Sequence, residues 1–224
     1  METFEEIYDR AAERHGGAKA LEAGMPELKT PAQLKKIPDD RWLSDFTKRI
    51  FQAGFSWKVI DNKWPGFEEA FEKFDPIHCA YLSDEAIDKL LQNEAIVRNA
   101  QKIVSVRANA QFLNELAKEH GSASAFIADW PMDDFVGLME VLKKRGSRLG
   151  GNTGPYALRM MGKDSFILSK DVTAALIHAG VTDKNPTSKK ALQAVQEAFN
   201  TWHNESGKPY AHISRVLGMS IDAA

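Results

Sequence analysis

The stretch 149-LGGNTGPYALRMMG-162 decides how this chain is read. It crowds a glycine pair, an Asn-Thr-Gly and a proline together, directly after the basic run 143-KKRGSR-148. Gly146 is a suitable stop for a helix ending near Lys144–Arg145, because glycine accepts the left-handed backbone of a helix end. Leu149 can anchor the turn in a core, Gly150 and Gly151 allow unusual backbone angles, and Pro155 fits the first turn of a following helix. Two helices joined in this way can aim backbone N–H groups at an anion, with flanking lysine and arginine adding charge. The residues that would face a phosphate are Gly150, Gly151, Asn152, Thr153 and Gly154, beside Lys143, Lys144 and Arg148.

Working outward, the charge is local rather than global. The net charge over 224 residues is only −2. Yet from Val141 to Lys163 the chain carries Lys143, Lys144, Arg145, Arg148, Arg159 and Lys163 without an acid. A second basic set, Arg98, Lys102 and Arg107, lies in 95-AIVRNAQKIVSVRANAQFL-113. Basic faces on a near-neutral protein suit a partner with regularly spaced negative charge, such as a phosphate backbone. Each cluster by itself also reads as a solvated helix face.

Composition, 27% charged and 43% apolar, is that of a globular protein with a sizeable core. Cys79 is the only cysteine, which excludes an internal disulfide, a four-thiolate zinc site and an iron–sulfur cluster. The opening METFEEIYDRAAERHGG is acidic and lacks the apolar core of a secretory signal, and no run approaches the ~20 apolar residues of a membrane span. A cytoplasmic location is expected.

Helical spacing dominates the rest. In 41-RWLSDFTKRIFQAGF-55 the residues Trp42, Leu43, Phe46, Ile50 and Phe51 recur at helical intervals. Ser83 caps 84-DEAIDKLLQ-92, a long helix covers 99–119, another starts at Asp133–Asp134 and runs to about Lys144, and three more occupy 171–180, 188–204 and 209–218. Alternating runs bounded by hairpin turns are missing, so an all-α fold is expected. The segment 15-HGGAKALEAGMPELKTP-31 reads as a surface loop or arm.

The hairpin resembles the helix-hairpin-helix motif, Leu149, Gly150, Gly151, Asn152, Thr153, Gly154, Pro155, Tyr156 and Ala157 matching a Leu-Pro-Gly-x-Gly-x-x-Thr-Ala pattern. Gly150 replaces its proline and Thr153 its second glycine. The stretch 51-FQAGFSWKVIDNKWPGFEEAFEKFDP-76, continued by 94-EAIVRNAQKI-103 and 142-LKKRG-146, is similar to the Gln-Ala-Gly-Leu-Ser-Trp segment of the DNA-3-methyladenine glycosylase I family. The segment 164-DSFILSKDVTAAL-176 resembles the one that carries the catalytic aspartate in the wider superfamily.

The resemblance implies a two-lobed helical glycosylase domain over 39–220 around one cleft, with 1–38 as an N-terminal arm or helical extension. It implies a monomer that flips a damaged base out of double-stranded DNA and hydrolyses its glycosidic bond, with 3-methyladenine-like purines as substrate. Trp57 matches the family's base-pocket tryptophan, and Phe55, Gln52, Arg49 and Trp42 are placed with it; flat aromatic faces attract cationic rings. Phe55 and Trp42 also read as core. Asp171 takes the position of the carboxylate that stabilises oxocarbenium charge and orients a water; an N-cap for 172-VTAAL-176 is the alternative and is compatible with that role. Trp57 and Asp171 are expected to line the same cleft. Where bifunctional relatives carry a Schiff-base lysine stands Pro155, so a monofunctional enzyme is implied.

Three departures are specific. Counting back from Gln-Ala-Gly puts the family's base-reading glutamate at Arg49, which cannot accept a hydrogen bond. The amino-terminal Tyr-His-Asp-x-Glu-Trp-Gly run and the cysteine–histidine zinc ligands are absent, so no zinc is expected; the resemblance leaves room for a monovalent cation at the hairpin carbonyls. The alkyladenine family usually lacks an aspartate at the position of Asp171. Arg49 and Thr153 keep open a non-catalytic, DNA-binding relative, and a helical partner-binding module with a coincidental glycine turn is the remaining alternative.

Overall fold

Apolar residues at helical intervals become fourteen α-helices in the computed structural model, which describes residues 1–222 and holds no strand among them. In chain order they are α1 (Phe4–Arg14), α2 (Ala18–Glu22), α3 (Pro31–Leu34), α4 (Asp39–Gln52), α5 (Trp57–Ala70), α6 (Pro76–Ala80) and α7 (Asp84–Gln92). There follow α8 (Ala100–His120), α9 (Ala123–Asp129), α10 (Phe135–Arg145), α11 (Thr153–Met161), α12 (Lys170–His178), α13 (Lys189–Ser206) and α14 (Tyr210–Ser220). The chain divides into two compact units, one made of Met1–Leu28, Pro131–Gly137 and the chain from Asp164 onward, the other of Lys29–Trp130 and Leu138–Lys163.

The first unit gathers α1, α2, α12, α13 and α14. Thr3 and Glu6 close a reciprocal capping box on α1. Phe166 stacks on Phe199 at 4.2 Å between centroids, and the Asp164 carboxylate caps α14 by accepting from the N–H groups of Tyr210 and Ala211. The segment expected to be a loose loop is docked instead. Leu21 of α2 is fully buried, Glu22 accepts from Tyr8 and Lys208, and the Pro26 carbonyl meets His212. Its polar and glycine-rich composition conceals one buried leucine and a few long-range hydrogen bonds, which are what fix it.

The second unit is organised on α8. Ile103, Val106, Ala110, Leu113 and Leu116 form its fully buried stripe, against which α4, α6, α7 and α9 pack. On α4 the buried face is Trp42, Leu43, Phe46, Ile50 and Phe51, as its spacing requires. Helix α5 adds an aromatic ladder in which Trp64 stacks on Phe67 and Phe74. A polar knot ties α4 to α5: Glu68 accepts two hydrogen bonds from Arg41, one from Ser44 and one from the Trp64 indole.

Candidate functional site

The hairpin has the shape its residues demand. Helix α10 stops where Gly146 N–H donates to Leu142 O, and Leu149 drops into the core. Asn109 of α8 pins the turn from below, accepting from Ser147 N–H at 2.7 Å and donating to Ser147 O at 3.0 Å. Gly154 N–H then donates to Leu149 O at 3.2 Å, which closes the turn onto α11. A Cβ on Gly154 would stand 2.6 Å from that oxygen and 3.0 Å from the Leu142 side chain, so glycine is required by close approach. The close approach thus falls on Gly154, one position after Thr153, which stands at the second glycine of the pattern the sequence resembles. At the tip, Gly151 is exposed with φ +60, and neither its N–H nor that of Gly150 has an acceptor among the described residues. Two adjacent N–H groups at a helix start form an anion cradle.

The basic residues sort by what holds them. Lys143 is exposed, with its stem against Gly150. Lys144 pairs with Glu140 on its own helix and is otherwise exposed, and Arg148 reaches Gln101. Arg145 is tied to Glu115 and Glu119. Lys163 is buried and donates to Ala128 O and Trp130 O, where it caps α9. In the second basic set Arg98 is exposed beside Glu94, and the other two are structural. Arg107 bonds Leu82 O and Asp84, while Lys102 is buried and donates to Phe51 O and Ala53 O at 3.1 and 2.7 Å, capping α4. Burial, with Arg148 nearby, pushes the Lys102 amine down.

Close to the hairpin stands an aromatic platform. Trp57 opens α5 and is 45% exposed, a large indole left in solvent at a helix start. It forms a T-shaped pair with Tyr156 of α11, centroids 5.9 Å apart at 84°, so the helix that begins at the hairpin also braces the platform. The Arg49 guanidinium lies over its ring at 5.5 Å. Arg49 is 11% exposed, donates from Nε and Nη2 to Asp45 Oδ1 and from Nη1 to Gln52 Oε1, and so is neutralised one helical turn back. Gln52 donates in turn to Asp61, which also holds Lys48. Burial pushes the Asp45 carboxyl up despite Arg49, and its Oδ2 is buried without a partner among the described residues.

Two of the expected pocket residues stand apart from that cluster. Trp42 is core: it is wholly buried, donates from its indole to Ser124 Oγ at 2.7 Å and packs edge-on to Phe46. Phe55 is exposed in the turn after α4, with Lys102 Nζ 4.6 Å from its ring. Asp171 lies exposed in the first turn of α12, in the first unit, and is not the N-cap; Ser169 is, accepting from Val172 N–H. Sequence reasoning missed Asn109, Lys102 and Tyr156 as supports. Tyr156 sat in the motif; the other two carried no local signal.

Cys79 does not suit a zinc site. It is buried against Phe71 O, burial pushes its thiol up to about 12, and no group of three or more His, Cys, Asp or Glu is assembled for a metal among the described residues.

Fold and site together define an all-helical protein that carries a glycine turn with two open N–H groups and an exposed tryptophan braced by the helix the turn begins. A family model described as Methyladenine glycosylase matches residues 38–144. The DNA-3-methyladenine glycosylase of Haemophilus influenzae is 30% identical over 130 residues, covering 50% of this chain and 70% of that protein. DNA-3-methyladenine glycosylase 1 of Escherichia coli K12 is 33% identical over 60 residues, 27% of this chain and 32% of that one. The 3-methyladenine DNA glycosylase I structure from Staphylococcus aureus superposes with a TM-score of 0.52 at 22% identity, over 68% of this chain and 91% of that one, a likeness of fold. The chain belongs to the methyladenine glycosylase family. The matched range of the family model contains Arg49, Gln52 and Trp57 and ends before the glycine turn and Asp171.

Proposed function

We propose that this protein is a monofunctional DNA N-glycosylase of base excision repair that hydrolyses alkylated purines. The observation that carries the reading is the exposed Trp57 braced by Tyr156, on the helix that the glycine turn begins. Phosphate bound at Gly150 and Gly151, with Lys143, Lys144 and Arg148 around it, fixes the register of the duplex. The flipped base then stacks on an indole whose support is part of the same helix, so gripping the backbone and presenting the platform are one structural event. An alkylated purine is electron-poor, which strengthens its attraction to the π-face.

In this reading Asp171 is the carboxylate that stabilises the oxocarbenium ion and orients water. Pro155 has no amine for a Schiff base, so the product is an abasic site in an uncut strand. The hydrolysis uses no zinc or iron–sulfur cluster; a monovalent cation at the hairpin carbonyls would act on DNA binding alone. The protein works as a monomer in the cytoplasm; no helix among the described residues is long and apolar enough to cross a membrane.

The experiment is incubation with methylated duplex DNA, chromatography of released bases and a strand-scission assay before and after alkali. Released bases with nicks only after alkali are expected, and Asp171→Asn should cut the rate at least tenfold. The guanidinium already lying over Trp57 favours one second reading, a DNA-binding relative without base excision. Salt-dependent duplex binding with no released base selects it.

A further inference from the structure

The base-recognition site offers donors along one side. Arginine carries five N–H groups and no acceptor. Asp45 and Gln52 occupy N–H groups on Nε, Nη2 and Nη1 of Arg49, which leaves one N–H on each Nη without a partner among the described residues. Gln52 does not restore an acceptor: its Oε1 faces Arg49 and its amide N–H faces Asp61 at 3.2 Å. The spare acceptor, Asp45 Oδ2, is sealed from solvent. The guanidinium carbon lies over the Trp57 ring, 5.5 Å from its centroid, so a purine brought to that indole comes within reach of the two unpartnered N–H groups.

We propose that Arg49 is a specificity-determining residue that directs the site toward alkylated guanines, whose C6 carries a carbonyl acceptor, and away from alkylated adenines, whose C6 carries an amino donor. The inference rests on the glycosylase reading above. Arginine facing guanine O6 is the commonest base-specific contact in protein–DNA recognition, because donor meets acceptor in one plane. An adenine amino group in the same place sets donor against donor, and both lose water with nothing in exchange. Charge does not cancel the preference. The Asp45 carboxylate at 3.1 Å offsets the guanidinium, so a cationic alkylated ring faces a pair rather than a bare cation. The side chain is also held: bonds to Asp45 and Gln52 fix the guanidinium before any base arrives.

The test is release of 7-methylguanine, 3-methylguanine and 3-methyladenine from methylated duplex DNA, each rate divided by the adduct's abundance. Wild type should release at least one guanine adduct about tenfold faster than 3-methyladenine, the scale of one matched against one mismatched base contact. Arg49→Glu should move the ratio about tenfold toward 3-methyladenine. Because that variant sets two acids side by side, Arg49→Gln, which keeps a polar side chain without the charge, serves as the second; it should abolish the preference. A wild type that prefers 3-methyladenine, or a ratio unmoved in both folded variants, overturns the proposal. Release of no base at all fails the glycosylase reading instead, and calorimetry with the free bases then decides. Methylguanine bound about tenfold tighter than 3-methyladenine by wild type upholds the role of Arg49; equal or reversed affinities overturn it.

Discussion

Replacing Gly154 by alanine tests whether the glycine turn is built as a single packed unit. The new Cβ would stand 2.6 Å from Leu149 O, closer than real contacts allow, and 3.0 Å from the Leu142 side chain. Relief requires the carbonyl to withdraw, yet that carbonyl accepts the N–H of Gly154 itself at 3.2 Å. Moving it away therefore stretches the bond that closes the turn. The lost hydrogen bond costs about 1 kcal/mol and the overpacking about 1–3 kcal/mol. Alanine's better helix propensity returns about 1 kcal/mol at this α11 position. The net is roughly 2 kcal/mol, or about 6 °C in Tm for a chain of this length. Leu149 O also sets where Gly150 and Gly151 present their N–H groups, so duplex affinity should fall severalfold with stability. Calorimetry and fluorescence anisotropy with a short duplex measure both. If Tm and affinity are both those of wild type, the turn is not closed by that contact and its assignment as a phosphate cradle loses its structural basis.

Three further outcomes follow from particular residues. Gly151→Val places a branched side chain at φ +60, costing roughly 1–2 kcal/mol in backbone strain, but meets no atom within 4 Å; it should stay folded while DNA affinity and its salt dependence drop, and a titration at two salt concentrations that matches wild type would count against the cradle. The Glu68 carboxyl is pushed up by burial but pulled further down by hydrogen bonds from Arg41 and Ser44, ending below its ordinary 4.5. A depressed folded value means stability that is present above pH 4.5 and lost as pH falls through the folded pKa. Urea midpoints should therefore decline with acid, and decline less in Glu68→Gln; parallel curves would deny the knot that role. Cys79, buried with its thiol pushed up to about 12, should resist a thiol reagent at pH 8 until the protein is unfolded; rapid labelling of the folded protein would contradict that burial.

The sequence determined the helical class by itself, because the evidence for it is local. The interval of Trp42, Phe46 and Ile50, the Ser83 cap and the Asn99 start all belong to single turns of helix, and each appears where the spacing puts it. Helix α5 was harder to read from spacing, since Pro65 and Gly66 interrupt a helix that packing nevertheless continues. The glycine turn was legible too, down to Leu149 as its anchor, although which glycine bears the close approach was not. Gly154 takes that part only because Leu142 and Leu149 O converge on it across the turn. The candidate site divides in the same way. Trp57 stays exposed at the start of α5, whereas Trp42 has the same chemistry and a similarly apolar setting and went into the core, where α9 supplies Ser124 for its indole. Lys102 and Arg107 looked like a basic face and became caps for carbonyls that the sequence cannot bring near them. For Arg49, the match of its charge by Asp45 and the direction of its donors by Gln52 are local to α4, one turn to either side, whereas its place over Trp57 depends on how α4 and α5 pack. Periodicity and capping are properties of a few consecutive residues. Which of two tryptophans stays exposed, and which cation stays unpaired, is decided by partners far along the chain.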